Sequence, residues 1–320
     1  MPKITVMPDG CKAAKAAGMN RAPVKREKAT GWSTGAARRN ADFLMSIDAL
    51  ALGHGEALSI SLTLGRDVAI TPRLFLQMRT AFFKRLRRMG LIRLHWLAEF
   101  QRDGTPHLHM MAYFPPSQDP LALCGRVCNH WLSVAAATGA QRSGQHVVPV
   151  THLKGWKIYL AKHGARGVNH YQRKMPAGWE EPGRMWGYLG DWPTRKVELE
   201  VDAVTFFRFR RFVRSWRVSQ ARQAVRLDPS SRSARRMLSA ARRSLVEGEE
   251  GSSARTTFRG LTQWLPEALA VDFLSAVADD PDRLVRRWDA RLGTYANTDS
   301  QIGDARGGTP CAKPVLALAE

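Results

Sequence analysis

Two histidines stand two positions apart in the apolar run HLHMMAYF, which covers residues 107–114. Side chains alternate along a β-strand, so His107 and His109 would present both imidazoles to one face, about 7 Å apart. The runs 91–100 and 107–114 flank the turn QRDGTP and predict a β-hairpin. Glu99 on the first strand can share that face, and two imidazoles with one carboxylate suit a divalent metal with open positions.

Other interpretations of the histidine pair stay open at the level of sequence. A hairpin with an ordinary solvated face would also carry an HxH pattern. His95 lies on the same strand face as Glu99 and is a rival ligand that spacing does not exclude. Whether the pair binds a metal must therefore be judged together with the other motifs of the chain.

A second group of reactive side chains lies in KGWKIYLAKHG, residues 154–164, which is predicted to be a helix that Gly164 ends. Tyr159 and Lys162 are three apart and His163 is four from Tyr159, so one helix face presents all three. A tyrosine hydroxyl with its usual pKa of about 10 is a weak nucleophile, and a nearby cation would favour the phenolate. The group suits attack on a phosphodiester, although an amphipathic helix with Tyr159 at its boundary has the same pattern.

The elements that must position these residues follow from hydrophobic periodicity and capping signals. The order strand, helix, hairpin, helix, strand, helix, strand predicts an α+β domain in which helices flank a central antiparallel sheet. Thr71, Pro72 and Gly90 are the expected N-cap, first residue and stop of the first helix. Outside the hairpin, strands are expected at 58–65, 146–153 and 195–201, and helices at 71–89, about 120–137, 154–164 and 203–225.

The remaining segments give the predicted domain organisation. Residues 1–42 are basic, rich in Ala and Gly and without periodicity, and are predicted to form a disordered arm. Residues 43–225 hold the predicted catalytic domain. Residues 226–320 are predicted to be a mostly helical extension, made of a linker or loosely helical segment, short helices within 262–293 and a disordered tail from residue 294.

The charge of the chain points to a polyanionic partner. The 320 residues contain 49 Lys and Arg against 28 Asp and Glu, a formal net charge of +21 with a pI near 10.7. Nucleic acid is the first candidate and a membrane surface the weaker one. Because the sequence has no apolar run of spanning length and no signal-peptide stretch, a soluble cytoplasmic protein is expected, with no membrane partner. The four cysteines, at 11, 124, 128 and 311, are expected to be free thiols.

The order of these motifs resembles that of the HUH superfamily of single-strand endonucleases, most of all the rolling-circle replication initiators of filamentous phages and related plasmids. The resemblance covers about residues 55–220. The matching stretches are LSISLTL, GTPHLHM with Glu99 upstream, YLAK, and GRMWG at 183–187.

What the resemblance implies is specific. The fold would be an HUH or RRM-like palm with the histidine pair on a central strand. His107 and His109 would bind Mg²⁺ or Mn²⁺, with Glu99 as the third ligand. Tyr159 would attack one strand at an origin and leave a 5′-phosphotyrosine and a free 3′-OH, while Lys162 would position the phosphate or balance charge. The 3′-OH would prime a host polymerase, and the reverse reaction would rejoin the strand.

This sequence departs from relatives with two tyrosines. The position four after Tyr159 is His163, so a single-tyrosine enzyme is predicted. A second cleavage would then need a second protomer, a later hydrolysis or Tyr171. His163 is a candidate general base, and packing on the helix surface explains it equally well. No GxxxxGK[ST] motif occurs, so the protein is expected to need a host helicase, or an origin in single-stranded or supercoiled DNA that supercoiling or a hairpin already exposes.

Further DNA contacts are expected from basic helices and from tryptophans. The helix at 203–225 has an aromatic stripe that suits the core and arginines that suit phosphates. The tryptophans of the Gly/Pro-rich loop could stack on unpaired bases or pack beneath the loop. The predicted DNA-binding residues are Lys84, Arg88, Arg208, Arg210, Arg211 and Arg214, and the tryptophans are Trp179, Trp186 and Trp192.

Two other classes of function compete with the endonuclease. A DNA-binding regulator without chemistry suits the charge, but gives no reason for Glu99, the histidine pair and Tyr159 to occur in this order. A metal-dependent phosphoesterase that uses water would keep the histidines and need no tyrosine. A conjugative relaxase shares the tyrosine chemistry, but that family usually has its tyrosine before the histidine motif.

Overall fold

The computed structural model describes residues 1–14, 31–164, 175–246, 261–279, 287–289 and 294–296. The chain divides into two compact units. The first consists of Met1–Phe206 and Phe258–Phe273, and the second of Phe207–Thr257 and Leu274–Glu320. The predicted limits 43–225 of the catalytic domain therefore differ from the first unit, which takes in more of the N-terminus and a piece near the C-terminus.

The described elements are numbered in chain order. The strands are β1 (Lys3–Met7), β2 (Gly10–Ala14), β3 (Glu56–Thr63), β4 (Arg93–Phe100), β5 (Pro106–Phe114), β6 (His146–Pro149), β7 (Trp186–Leu189), β8 (Val197–Glu200), β9 (Leu261–Trp264), β10 (Arg287–Asp289) and β11 (Thr294–Ala296). The helices are α1 (Thr34–Ser46), α2 (Pro72–Arg88), α3 (Pro120–Val134), α4 (Leu153–Gly164), α5 (Ala203–Leu227), α6 (Arg232–Val246) and α7 (Glu267–Asp279). Short 3₁₀ turns cover Leu50–Leu52, Ala136–Thr138 and Arg142–Gly144.

The central sheet of the first unit is antiparallel, with the strand order β6-β3-β5-β4-β7. β4 and β5 form the predicted hairpin, in which Glu99 lies opposite His107 and Leu97 lies opposite His109. On the other side of β5, Ser61 of β3 lies opposite His109. Because β5 is the middle strand, its two histidines have neighbours on both sides.

Helices cover both faces of this sheet, which confirms the predicted α+β architecture. On one face, Phe83 of α2 packs against Trp96, with 6.0 Å between ring centroids. On the other face, Phe43 of α1 stacks on His95, the neighbour of Trp96, at 5.7 Å. β4 and β5 are buried along almost their whole length. The interpretation of the hairpin as a solvated face is therefore wrong.

The first long helix, α2, begins and ends as its sequence indicates. Thr71 Oγ1 accepts a hydrogen bond from the Leu74 N–H at 3.2 Å, and Pro72 occupies the first helical position. Gly90 follows with a φ of +87°, a left-handed conformation that ends the helix without a Cβ clash. The apolar stripe of α2 is buried, and most of its basic residues are exposed, whereas the Arg79 guanidinium lies over the ring of Trp96 at 4.0 Å. The buried residues of the stripe are Phe75, Met78, Phe82 and Leu86.

A second antiparallel sheet in the first unit corrects the prediction of a disordered arm over residues 1–42. Its strand order is β8-β1-β2-β9, so two of its strands lie within that segment. The helix α1 follows from Thr34, with Ser33 as its N-cap. The arm prediction failed because β1 pairs not only with the nearby β2 but also with a distant strand, where Ile4 lies opposite Leu199 of β8. Residues 15–30 of the predicted arm lie outside the described residues.

Three further elements differ from the prediction. β7 lies in the Gly/Pro-rich segment predicted as a loop, and it is an outer strand of the central sheet. The strand predicted at 195–201 exists as β8, but it belongs to the second sheet. Residues 261–264, at the edge of the predicted helical segment, form β9 because β2 offers them an open edge for hydrogen bonding.

The second unit is described on its own. It contains most of α5, together with α6, which falls in the predicted linker and is a regular 15-residue helix. Small apolar side chains join the two helices, among them Val218, Ala221 and Ala241. In the turn between them, Asp228 Oδ1 accepts hydrogen bonds from the N–H groups of Ser230 and Ser231. β10 and β11 form an antiparallel pair. β11 lies at the start of the tail predicted to be disordered, which corrects the prediction for residues 294–296, and the rest of that tail lies outside the described residues.

Candidate active site

The candidate site lies where β5 begins and where β3 and β4 end. Gly104, with a φ of +84°, lets the chain reverse between β4 and β5. The Thr105 N–H donates to Asp103 Oδ1 at 2.9 Å, which fixes the end of the turn. Asp103 also pairs with Arg66, which follows β3. These contacts hold the strand ends that carry the polar side chains.

His109 is the most enclosed member of the group. Its Nε2 lies 3.0 Å from Glu99 Oε1, and its Nδ1 shares a 2.9 Å hydrogen bond with Ser61 Oγ. His109 is 3% exposed and Glu99 is 2% exposed. Each ring nitrogen of His109 has a hydrogen-bond partner, whichever of the two carries the proton. The imidazole is therefore fixed in orientation by strands on both sides.

His107 is half-buried and lies between the enclosed pair and the hairpin turn. Its ring meets that of His109 edge to face, with 4.4 Å between centroids and an interplanar angle of 73°. Gln101 Nε2 lies 3.5 Å from His107 Nδ1, at the limit of a hydrogen bond. The structure thus brings together the three predicted ligands, Glu99, His107 and His109, on one face of the sheet.

The predicted nucleophile reaches the same place from α4. The Tyr159 ring lies edge to face with His109, with 5.5 Å between centroids and an angle of 82°. Its other neighbour is Trp156, stacked on it at 4.7 Å and 16°. The half-buried tyrosine is therefore held between a histidine of the sheet and an indole of its own helix. The side chains of Lys162 and His163, and the whole of Tyr171, lie outside the described residues.

A buried lysine that the sequence analysis missed anchors the tyrosine helix. Lys157, two positions before Tyr159, is 0% exposed. Its ammonium forms an ion pair with Asp9, in the turn between β1 and β2, and donates to the Ile47 carbonyl at 3.2 Å. Burial lowers the pKa of Lys157, and the hydrogen bond to Asp9 partly opposes that shift. A lysine in a helical sequence is normally read as a surface residue, so the pattern gave no signal.

The side chains of Glu99, His107 and His109 are of the types that bind divalent cations. Within the described residues, no three His, Cys, Asp or Glu side chains form a ready-made metal cage. However, the 3.0 Å between Glu99 Oε1 and His109 Nε2 is also the separation of adjacent ligands in an octahedral shell with bonds of about 2.1 Å. One carboxylate and two imidazoles are typical donors for Mn²⁺, and the carboxylate also suits Mg²⁺. By donor type, Glu99, His107 and His109 suit such an ion, and the spacing of Glu99 and His109 is compatible with it.

The rival ligand His95 lies apart from this group. It is four residues before Glu99, about 13 Å along the strand. Its Nε2 is 2.7 Å from Asn40 Oδ1, and its ring is stacked on Phe43. Complete burial lowers the pKa of His95 to about 3. It is therefore a neutral core histidine bonded to α1.

The predicted DNA-binding residues have different environments. Lys84 and Arg88 are exposed on α2, which covers the face of the sheet opposite the histidine pair. On α5, Arg211 is exposed, while Arg208 and Arg214 are half-buried, and burial lowers the pKa of Arg214. Arg210 is buried, which does not suit a phosphate contact.

The tryptophans of the Gly/Pro-rich segment separate into two groups. Trp179 is buried against Phe100 and donates from Nε1 to the Ile70 carbonyl at 3.0 Å. Trp192 is buried as well and donates to the Leu189 carbonyl. Base stacking is therefore the wrong interpretation for these two. Trp186, on β7, is half-buried.

The fold and this group of residues define a class, a basic α+β protein with a Glu–His–His–Tyr group at one end of an antiparallel sheet. Comparison with known proteins then gives the family. Over 257 residues the chain is 43% identical to a putative replication protein of Xylella fastidiosa strain Temecula1, which covers 74% of the chain and 93% of that protein. A putative replication protein of Xylella fastidiosa strain 9a5c is 38% identical over 295 residues, which is 87% of the chain and 97% of that protein.

A phage protein belongs to the same set. The replication-associated protein G2P of Pseudomonas phage Pf3 is 39% identical over 247 residues, which covers 76% of the chain and 84% of the phage protein. The chain therefore belongs to this family of replication proteins. No family model matches the sequence, and no solved structure matches it.

Other expectations concern the whole chain. Among the described helices, none is long and apolar enough to cross a membrane. Cys11, Cys124 and Cys128 are free and buried, as expected. Burial raises the pKa of the Cys11 thiol to about 12, so it is inert as a nucleophile.

Proposed function

We propose that this replication protein is a nicking and joining enzyme that starts rolling-circle replication at a single-stranded or supercoiled origin. The observation that carries the proposal is the position of Tyr159, edge-on to His109 at 5.5 Å, while His109 is bonded to Glu99. A tyrosine beside a His–His–carboxylate set suits phosphoryl transfer, which depends on positioning and charge stabilisation. Membership of a family of replication proteins supports a DNA substrate.

The chain's own residues would carry the transfer. Tyr159 Oη loses its proton and forms a bond to the scissile phosphorus, and the bond between phosphorus and the 3′ oxygen breaks. The 3′ oxygen takes up a proton, which leaves a free 3′-OH and a 5′-phosphotyrosine. The reverse reaction rejoins the strand. Lys162 is proposed to balance charge on the phosphate during both steps.

Glu99, His107 and His109 are the proposed ligands of Mg²⁺ or Mn²⁺. The ion would act as a Lewis acid on the scissile phosphate. Ser61 orients His109 through Nδ1, the arrangement by which a second partner commonly fixes a ligand imidazole. Trp156 limits the Tyr159 ring to one plane, so less rotamer entropy is lost when the substrate binds.

The proposal assigns the remaining steps to the host. The sequence contains no GxxxxGK[ST] motif, so a host helicase is proposed to unwind the DNA and a host polymerase to extend the free 3′-OH.

The test is a denaturing gel of the full chain with single-stranded and supercoiled origin DNA, with and without Mn²⁺ or Mg²⁺. We expect a metal-dependent protein–DNA adduct that Tyr159→Phe and His107→Ala both abolish. Cleavage by Tyr159→Phe without an adduct would instead support a water-using phosphoesterase. Binding to origin DNA without cleavage under any metal would support a regulator.

A further inference from the structure

Three aromatic rings form a nearly parallel stack that leads from the core to the surface of the first unit. Phe43 of α1 is stacked on His95 at 5.7 Å and 13°, and on Tyr188 of β7 at 4.2 Å and 5°. Exposure rises from 0% at His95 to 9% at Phe43 and 51% at Tyr188. The ring of Tyr188 is thus supported by a buried stack while half of its side chain faces outward.

The register of the sheet relates this ring to the candidate active site. Tyr188 lies opposite His95, and Trp186 lies opposite Leu97, which in turn lies opposite His109. Directly opposed residues share a face, so the two aromatics of β7 and the histidine pair belong to the same face of the sheet. From Tyr188, two strand spacings across β4 lead to Met111 of β5, and His109 lies two residues along that strand. Together these steps place Tyr188 about 12 Å from His109.

The surroundings of the ring suit a polyanionic strand whose unpaired bases offer flat faces for stacking. β7 is an outer strand of the central sheet, so Tyr188 is next to its edge. Arg39 is exposed one helical turn before Phe43, and Arg184 is exposed two residues before Trp186. Exposed cations on these two elements suit phosphate contacts, while the aromatic ring offers a flat face.

The rigidity of the ring is an argument for a binding role. Single-stranded DNA is held by aromatic side chains on which unpaired bases stack, beside cations that follow the backbone. Because Phe43 already fixes one face of Tyr188, little side-chain entropy remains to be lost when a base covers the other face. An isolated surface tyrosine would lack this preorganisation.

We propose that Tyr188 is a stacking platform for an unpaired nucleobase of the bound strand. At the roughly 3.4 Å per nucleotide of a stacked strand, it would hold a base about three to four nucleotides from the phosphate at the candidate active site. The distance of three to four nucleotides rests on the proposed nicking function, because it is counted from the phosphate that would be cleaved. Stacking on Tyr188 does not, because it requires only that the strand binds.

The test measures binding by the full-length protein with a fluorescent oligothymidylate and with a duplex of the same length. Tyr188→Leu is expected to weaken binding of the single strand by about 5- to 100-fold and to leave duplex binding unchanged. Tyr188→Phe and Tyr188→Trp keep a ring and are expected to bind like the wild type. Leu76→Ala is the matched control, because Leu76 is also half exposed but lies on α2, over the opposite face of the sheet.

A second measurement begins with the wild type, so its first step does not depend on how a variant folds. Abasic sites are moved one position at a time along an oligonucleotide no longer than the bound segment, so that one binding register is possible, and the wild type is expected to lose affinity at one position. In Tyr188→Leu that position should show no loss, which is the signature of a direct pair in a double-mutant cycle. Equal single-strand affinity of Tyr188→Leu and wild type, or an abasic profile that the variant leaves unchanged, would overturn the proposal.

The outcome is separable from that of the proposed function. If the wild-type protein forms no covalent adduct but still loses affinity at one abasic position, nicking is rejected and the stacking role of Tyr188 stands. An intact adduct with a flat abasic profile would reject the platform alone.

Discussion

Glu99 and the two histidines come together because alternation along a strand is a local property. The sequence places His107 and His109 on one face, and the structure brings Glu99 to the same face across the hairpin. Ser61 could not be assigned in the same way, because its contact with His109 depends on which strand pairs with β5. The only signal was the alternation of hydroxyl residues in LSISLTL. It identifies Ser61 as a partner of His109 only when the register of β3 against β5 is known.

The contact of Ser61 with His109 leads to a prediction about metal affinity. Ser61→Ala removes the partner of Nδ1, and loss of such a second partner typically costs 10- to 100-fold in metal affinity or activity. We expect adduct formation to need correspondingly more Mn²⁺ and to recover at high Mn²⁺. The measurement is a Mn²⁺ titration of the adduct yield.

Ser59→Ala provides the control for that titration, because Ser59 is buried on the same strand two residues away. Ser61→Thr keeps the hydroxyl and should resemble the wild type. A Mn²⁺ dependence in Ser61→Ala equal to that of Ser59→Ala would contradict the role given to Ser61.

His95 leads to a prediction about stability and pH. Its pKa is about 3 in the folded protein against 6.5 as the ordinary value, so the unfolded chain binds an extra proton between these limits. The free energy of unfolding should therefore fall as the pH is lowered from about 6.5 towards 3. Urea unfolding of wild type and His95→Gln at several pH values measures the difference. The variant should be less stable at pH 7 and show a smaller decline, and an equal decline would contradict a buried neutral His95.

At the scale of elements, local patterns predicted α2 to α5 and the hairpin, while α1 and the pairing between distant segments escaped them. The cap of α2, the stop at Gly90 and the turn before His107 are all encoded within a few residues. The second sheet needs β1, β8 and β9 to meet from distant parts of the chain. No periodicity within residues 1–14 indicates those partners, so the segment looked like a disordered arm.

The ion pair of Lys157 and Asp9 joins two of these elements and makes a stability prediction. Asp9→Asn leaves the fully buried Lys157 ammonium without its partner, so it should lower the free energy of unfolding by about 3–5 kcal/mol. Lys157→Met should cost less, because Asp9 is partly exposed and keeps Lys154 at 3.6 Å. The double variant should lose much less than the sum, since neither charge remains. Chemical denaturation of the three variants measures the coupling.

Lys154→Met is the matched control for this pair. Lys154 lies on the same helix, 3.6 Å from Asp9, but its side chain is 49% exposed. Such a pair is screened by solvent, so the change should cost less than about 1 kcal/mol. Additive losses for Lys157→Met and Asp9→Asn, or a loss in Lys154→Met as large as theirs, would contradict a buried anchor for the tyrosine helix.

At the scale of the whole molecule, the net charge of +21 predicts a polyanionic partner without reference to any motif. Composition predicted a polyanion, and the family of replication proteins agrees with nucleic acid. Composition could not say which cations face the ligand, because that depends on burial. Arg210 shows the limit, since it was predicted to bind DNA and is buried, while Arg211 beside it is exposed.

Arg211 therefore carries the prediction on salt dependence. If it contacts a phosphate, Arg211→Gln should reduce the slope of log K against log salt for single-stranded DNA by about 0.7. Arg211→Lys keeps the charge and should leave the slope unchanged. Fluorescence anisotropy at several salt concentrations gives the slopes. Identical slopes for wild type and Arg211→Gln would remove Arg211 from the DNA-binding surface.

The central claim is that Tyr159 forms the covalent bond with DNA. The most direct measurement is mass spectrometry of the peptide that remains attached to a nucleotide after the wild-type adduct is digested with protease and nuclease. We expect the nucleotide on Tyr159, within the α4 sequence KIYLAK. A nucleotide on Tyr171, or the absence of any linked peptide from protein that has cleaved its origin, would contradict the account.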